Sequence, residues 1–395
     1  MPDTSGPPPR PLDGIRVLDF TANVAGPLAG QILADLGAEV IKVEPPGGEA
    51  GRRILAPVSD DASIASYFQP HNRGKKSVVI DLKTPDGVQL ALRLADTADV
   101  LLGAYRPGVM ERMGLGADVV QARNPRCVYA SVSAFGGNGP LGMRPGVDAP
   151  VQAESGLLTG LQADAEPPRV VASTIVDAAT GHVLAQAVLA ALLHRERHGV
   201  AERISVAMYD VAVSLQAPHL TRQIHIDPGS EQARTLGRDA ASIAPSGPVH
   251  ARDGYFLLYA YVPKHWQRLT QVIDRPDLAH DPRFVDQNQR AANRTALYAE
   301  LDTAFADRTV DESVAMLQAA GLMAAKANTH TEVVRSAMFA ENQLATTVGE
   351  GARTETVIRT PARFAGFTPA ATEPTPLLGE HTEQILAELN AHATG

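Results

Sequence analysis

The sequence predicts an α/β protein: a doubly wound, mainly parallel sheet, with a smaller α+β unit after it. Three observations carry that prediction. Short apolar runs alternate with helical spacing between Gly14 and Val132, as right-handed βαβ crossovers require. The longest helical pattern, Asp177 to Arg197, is followed by one more strand-like run at Arg203–Met208. A polar, Gly/Pro/Ser-containing stretch over residues 223–248 then separates this series from a second set of patterns.

Taken in order, residues 1–10 read as a flexible tail, because consecutive prolines bury little and donate no hydrogen bonds. Ile15–Phe20 reads as a buried strand, and Pro27–Leu36 as a helix stopped by Gly37. Glu39–Glu44 is a second strand, ended by Pro45-Pro46. Ser77–Leu82 is a third, and Pro85–Ala95 a helix with proline in its first turn. Asp99–Leu102 and Cys127–Val132 complete the strand series, and a further helix runs to about Arg222. The second unit opens with a strand at Tyr255–Val262, then helices at Lys264–Ile273, Ala291–Ala306 and Val310–Ala320. Residues 350–376 read as extended and turn-rich, with a last helix from near Glu380. In a doubly wound sheet ligands sit beyond the carboxyl ends of the strands. The loops after Phe20, Glu44, Leu102 and Val132 are therefore the places to look for binding residues.

Composition narrows the class. The 395 residues are 44% hydrophobic and 20% charged, with a net charge of −9. That length suggests two to three domains at about 150 residues each. An acidic chain lacks the basic footprint of non-specific nucleic-acid binding. Its single cysteine, Cys127, excludes internal disulfides and clustered-thiol metal sites, and reads as a small buried strand residue. Met1-Pro2-Asp3-Thr4-Ser5 lacks signal-peptide character, and the best apolar run, Val183–Leu193, falls short of the roughly 18 residues of a membrane span. A cytoplasmic protein is expected.

Few residues announce chemistry. Glu44 stands about twenty positions beyond Gly26, where a ribose-binding acid would sit, but the turn at Thr21–Pro27 lacks the spaced glycines of a dinucleotide site. Asn72-Arg73-Gly74-Lys75-Lys76, with Lys83, Arg106, Arg112, Arg123 and Arg126, reads either as solvated surface or as a local positive cradle for a phosphorylated ligand. His194 and His198 have metal-ligand spacing but no evident carboxylate partner, and read as residues favouring a helix C-terminus. No metal site is expected. Asp177 opens the longest helix. It reads as an ordinary N-cap, or as a carboxylate kept ionised by the helix terminus and able to act as a nucleophile. Gly181 leaves room for a ligand or for a packed helix.

Several segments together resemble the class III CoA-transferases, the group of formyl-CoA:oxalate and carnitine CoA-transferases and 2-methylacyl-CoA racemases. They are Pro11–Asp19, Ala34–Pro46, Asn72–Ser77, Asp81–Lys83, Tyr105–Gly108, Asp281–Phe284 and Leu377–Thr382. The resemblance implies a large Rossmann-like domain completed by the C-terminal segment, a smaller domain between, and an interlocked homodimer. With the residue reading it divides the chain into 11–222, a linker at 223–248, a small domain at 249–335 and a return segment at 336–395. It implies acyl-CoA and a carboxylic acid as substrates, no tightly bound cofactor, and Asp177 as the catalytic residue carrying covalent intermediates. Asn23, Val24, Ala25, Ile80, Lys83, Tyr105, Arg106 and Arg112 match its CoA-binding positions. Gly136-Gly137-Asn138-Gly139 and Ser246-Gly247 are candidate oxyanion loops.

Three departures bear on function. The racemase branch has a His-Asp pair where this chain has Val147-Asp148, which disfavours proton abstraction and return at an α-carbon. Pro45 replaces an arginine near the adenine of several relatives, and Gly321–Ala325 lacks the Pro and Gly usual at that turn. The implied reaction is CoA transfer between a donor thioester and an acceptor carboxylate. Racemisation and non-catalytic acyl-CoA binding are the alternatives.

Overall fold

The computed structural model describes residues 8–55, 64–158, 169–226, 243–369 and 373–394. The chain divides into two compact units: residues 1–158, 168–220 and 343–395 form the first, and residues 159–167 and 221–342 the second.

The first unit is built on a six-stranded sheet. Its strands are β1 (Arg16–Phe20), β2 (Glu39–Glu44), β3 (Lys76–Val79), β4 (Val100–Gly103), β5 (Val128–Ser133) and β6 (Arg203–Ala207). Their spatial order is β3-β2-β1-β4-β5-β6, and every neighbouring pair is parallel. This is the order of dinucleotide-binding sheets, with its switch point between β1 and β4. The central strands are buried over most of their length because helices cover both faces. One face carries α1 (Ala25–Asp35), which packs most extensively on the long helix Ile175–His198. On the other, Ala91, Leu92, Leu94 and Ala95 of the helix Pro85–Ala95 pack with Leu18, Ile41, Val78 and Leu101. That helix starts where the sequence places it, since Thr84 accepts a hydrogen bond from the Gly87 amide and Pro85 fills the first turn.

Numbered in chain order, the helices of this unit are α1, α2 (Gln69–Asn72), α3 (Pro85–Ala95), α4 (Val109–Arg112), α5 (Ala117–Arg123), α6 (Asp148–Glu154), α7 (Ile175–His198), α8 (Met208–Leu215) and α9 (Ala217–Ile224), within which the division falls. α7 corrects one sequence expectation: it is long and apolar enough to cross a membrane. Half of that apolar window is buried inside the protein, and Leu184, Val188 and Leu192 lie in the core beside Leu33 of α1. A helix buried on several sides is apolar for packing.

The C-terminal segment returns to the outer edge of this sheet. Strand β3 would otherwise expose unpaired backbone. Instead the His381 amide donates to the Ser77 carbonyl at 3.0 Å, the Val79 amide to Thr382 Oγ1 at 3.1 Å, and the Gly379 amide to Ser77 Oγ at 3.0 Å. The Leu377–Thr382 motif is thus an edge cover, and the terminal helix Thr382–Thr394 follows from it.

The second unit holds an antiparallel sheet of β7 (Ser246–Ala251), β8 (Gly254–Tyr259) and β9 (Met323–Lys326). Helices α10 (Pro263–Val272), α11 (Gln287–Ala292), α12 (Arg294–Phe305) and α13 (Val310–Ala319) belong to it. Phe256, Trp266, Phe284, Leu301 and Phe305 share one core. Asp281–Phe284 serves that core: Phe284 is fully buried and Arg283 pairs with Asp281. Strand β7 begins inside the stretch read as linker, where Gly247 and Pro248 had masked its β pattern.

Candidate active site

Asp177 sits in the first turn of α7, but it is not the cap. The helix is entered through Thr174 in a left-handed conformation, with no side-chain cap of its own. Its free amides are satisfied from elsewhere: Asp148 Oδ2 accepts from the Val176 amide at 2.8 Å and the Asp177 amide at 2.9 Å. Asp148 Oδ1 accepts from Gln152, whose amide group also makes two hydrogen bonds with the Val171 backbone, at 3.1 and 3.0 Å. α6 therefore supplies the cap for α7. This frees the Asp177 carboxylate to face a cavity.

That carboxylate is only 8% exposed. Burial and the neighbouring Asp148 push its pKa up to about 7, with hydrogen bonding to the Ala25 backbone pulling the other way. This runs against the expectation of a carboxylate held ionised at the helix terminus: desolvation and Asp148 outweigh the Ala25 hydrogen bond. The group is poised near neutrality, more basic and more nucleophilic than an exposed aspartate.

The cavity measures about 290 Å³ and is lined by residues from the loops after β1, β4 and β5 and by Ile54, Tyr67 and Met208. Asn23 and Ala25 line it together with Asp177. Asn23 is left-handed with φ 68°, turning the chain so that the first amides of α1 approach Asp177. Val24 is 1% exposed, its side chain in the interior. Tyr105 and Arg106 line an adjoining cleft, which shares Val132 and Ser133 with the first. Lys83 and Arg112 line neither, but both are exposed, and with Arg106 they make no ion pair among the described residues. Ile80 is buried in the core beneath α3.

Other expectations are corrected. Gly181 serves packing, since a Cβ there would stand 2.8 Å from the Ala25 carbonyl oxygen and 2.9 Å from Leu28. Ser246-Gly247 is no loop but the start of β7, and the Ser246 amide already donates to Tyr298 Oη at 3.0 Å. In Gly136–Gly139, the Gly136 amide is taken by Ser133 Oγ, while Gly137 lines the Tyr105 cleft. His194 does have a carboxylate nearby, with Glu202 at 3.2 Å. Cys127 is fully buried, which pushes its thiol up to about 12.

The basic run is not a phosphate cradle. Lys75 is fully enclosed, bonded to Asp19 at 2.9 Å, the Pro27 carbonyl at 2.9 Å and Asn72 at 3.0 Å. Arg73 pairs with Asp35 and Lys76 with Glu39, each at 2.6 Å. Glu44, in the ribose-acid position, is held by Arg52 at 2.7 and 2.6 Å and by Ser77 at 2.7 Å. Burial opposes the charge of Asp19, but Lys75 and Lys42 outweigh it and hold its carboxyl below the usual range. These charges tie β1 to Lys75 and β2 to Glu49 and Arg52. No ligand needs them. Arg123 pairs with Asp96 at 2.5 Å and Arg126 reaches Glu196 at 3.4 Å, so both belong to the surface.

Sequence reasoning missed Asp148 as the cap of α7, and Tyr67 in the cavity wall. The profile of CoA-transferase family III matches residues 12–382. The chain belongs to CoA-transferase family III. It is an enzyme that transfers CoA. It is 54% identical over 387 residues to a Mycobacterium tuberculosis protein named "Probable fatty acyl-CoA transferase", covering 96% of this chain and 98% of that one. A crystal structure of that protein has a TM-score of 0.85, covering 95% of this chain and 98% of the other. It is also 32% identical to the mouse succinyl-CoA:glutarate CoA-transferase, over 98% of this chain and 88% of the relative. A CAIB/BAIF family protein of Brucella suis shares the fold with a TM-score of 0.83 at 30% identity, covering 96% and 99%.

Proposed function

We propose that this enzyme moves CoA from an acyl-CoA donor to a carboxylic acid through covalent intermediates on Asp177. The observation that carries this reading is a buried, near-neutral carboxylate facing a cavity beyond the carboxyl ends of β1, β4 and β5. A carboxylate oxygen of Asp177 attacks the donor thioester carbon, the C–S bond breaks, and a mixed anhydride and CoA thiolate result. The thiolate attacks the aspartyl carbon, expelling the donor acid and leaving an aspartyl-CoA thioester. The acceptor carboxylate attacks that carbon, and CoA thiolate leaves. Its return to the acceptor acyl carbon regenerates Asp177, with no net proton change.

Each tetrahedral step gathers charge on an oxygen beside Asp177. The first turn of α1, whose amides approach from Ala25, is suited to stabilise it. Tyr105 and Arg106 in the adjoining cleft, with exposed Lys83 and Arg112, are assigned to CoA, the cations to its phosphates. Asn23, Val24 and Ala25 contribute chiefly through backbone, and Ile80 packs in the core beneath α3.

The functional form is proposed to be an interlocked homodimer. In support, α9 and the helices His330–Arg335 and Ala337–Glu341 bury no side chain in the protomer, and Ile224 and Met338 are 79% and 69% exposed. Racemisation is disfavoured because the cavity position beside Asp148 is Val147, which carries no proton. The test incubates the protein with an acyl-CoA and a panel of carboxylic acids in deuterium oxide. Transfer predicts an acceptor-dependent new thioester without deuterium at the α-carbon. Deuterium incorporation with no new thioester contradicts it.

A further inference from the structure

We propose that the acid served at Asp177 is an apolar monocarboxylate, and that Ile54 and Val147 set this choice by denying a second carboxylate any partner. This rests on the transfer reading above. A relative at 54% identity is named for fatty acyl-CoA transfer and relatives at 32% for succinate–glutarate and succinyl-CoA–mesaconate transfer, so family membership by itself leaves the acid of this chain open.

The cavity decides the matter by what lines it. Among the described residues its wall holds no lysine, arginine or histidine, and its charged member is Asp177 itself. Asp148 stands directly behind, with Oδ2 on the Asp177 amide. Three basic side chains of the surrounding segments are already engaged, Arg52 by Glu44, Lys42 by Glu49 and Arg144 by Glu154, and Arg106 lines the adjoining cleft assigned to CoA. Once the reacting carboxylate is at Asp177, the rest of the acid lies along Ile54, Val147 and Met208. A volume of about 290 Å³ accommodates a chain of this kind. An apolar tail gains by burial there. A terminal carboxylate would meet no cation in this wall and would stand near two acids, Asp177 and Asp148.

The experiment compares hexanoate with adipate, two acids of equal carbon count, as acceptors from acetyl-CoA, with the new thioester measured by mass spectrometry. Hexanoate is expected to have kcat/KM on the order of 100-fold above adipate, the consequence of an uncompensated charge. Val147→Lys, at a position 58% exposed and so tolerant of change, should narrow that ratio at least ~10-fold by raising the rate with adipate. Ile54→Lys, at 37% exposure, should act in the same direction. Adipate used as well as hexanoate overturns the inference, as does an unchanged ratio in both lysine variants. A new thioester from neither acid, with acetyl-CoA or butyryl-CoA as donor, overturns the transfer reading itself.

Discussion

Replacing Asp177 by asparagine should stabilise the protein, and by an amount that depends on pH. In the fold this carboxyl titrates at about 7, against about 3.9 for an exposed aspartate. The folded state therefore binds a proton more tightly than the unfolded chain does. Stability is greatest below the unfolded value, is lost as pH rises from about 4 to about 7, and stays level above that. Each pH unit in this window costs about 1.4 kcal/mol, so the full penalty is roughly 4 kcal/mol. Asparagine matches the shape and carries no charge. Its advantage over the wild type should grow by about 2–3 kcal/mol between pH 5 and pH 8. Urea unfolding at fixed protein concentration across that range measures the difference. A difference that does not vary with pH would refute the claim that burial and Asp148 keep Asp177 near neutrality. Such a penalty, retained in the wild type, is the stability a functional site gives up for reactivity.

Other consequences follow from the same geometry. Asp148→Ala removes the acceptor of two amides at the start of α7 and should cost about 1–2 kcal/mol in unfolding free energy; Asp148→Asn keeps an acceptor, lowers the Asp177 pKa, and should move the acid limb of a kcat/KM profile to lower pH. Gly181→Ala places a methyl 2.8 Å from the Ala25 carbonyl oxygen and should cost about 1–3 kcal/mol, with a fall in kcat because the α1 entrance is displaced. Lys75→Met strands the buried Asp19 carboxylate and should destabilise by about 3–5 kcal/mol, whereas Arg106→Ala should leave stability unchanged within about 0.5 kcal/mol and raise KM for acyl-CoA.

How far the sequence could be read depended on whether a residue's role is local. Glu39–Glu44 was legible to the residue, because the β-branched Val40, Ile41 and Val43 are followed at once by two prolines. Pro85–Ala95 was legible for its proline start, and the Thr84 cap was added by the structure. Asp177 was legible as the acid at the start of the longest helix, but its setting was not: the cap comes from Asp148, 29 residues earlier, through backbone amides that no side-chain pattern marks. The run Arg73–Lys76 misled for the same reason. Its partners Asp19, Asp35 and Glu39 are distant in sequence and meet it only across β1, α1 and β2. A three-residue spacing signal could not distinguish an internal clamp from an exposed cradle. β7 was hidden by its glycine and proline, which an edge strand tolerates.

The central claim is that CoA passes through a covalent bond to one carboxylate. Incubation with acetyl-CoA, quenching with hydroxylamine, and mass spectrometry of the peptide spanning residues 169–195 tests it most directly. A hydroxamate on Asp177 that depends on acetyl-CoA and is absent in Asp177→Asn is expected. An enzyme that transfers CoA at full rate with Asp177 unmodified, or that retains transfer in Asp177→Asn, would contradict it.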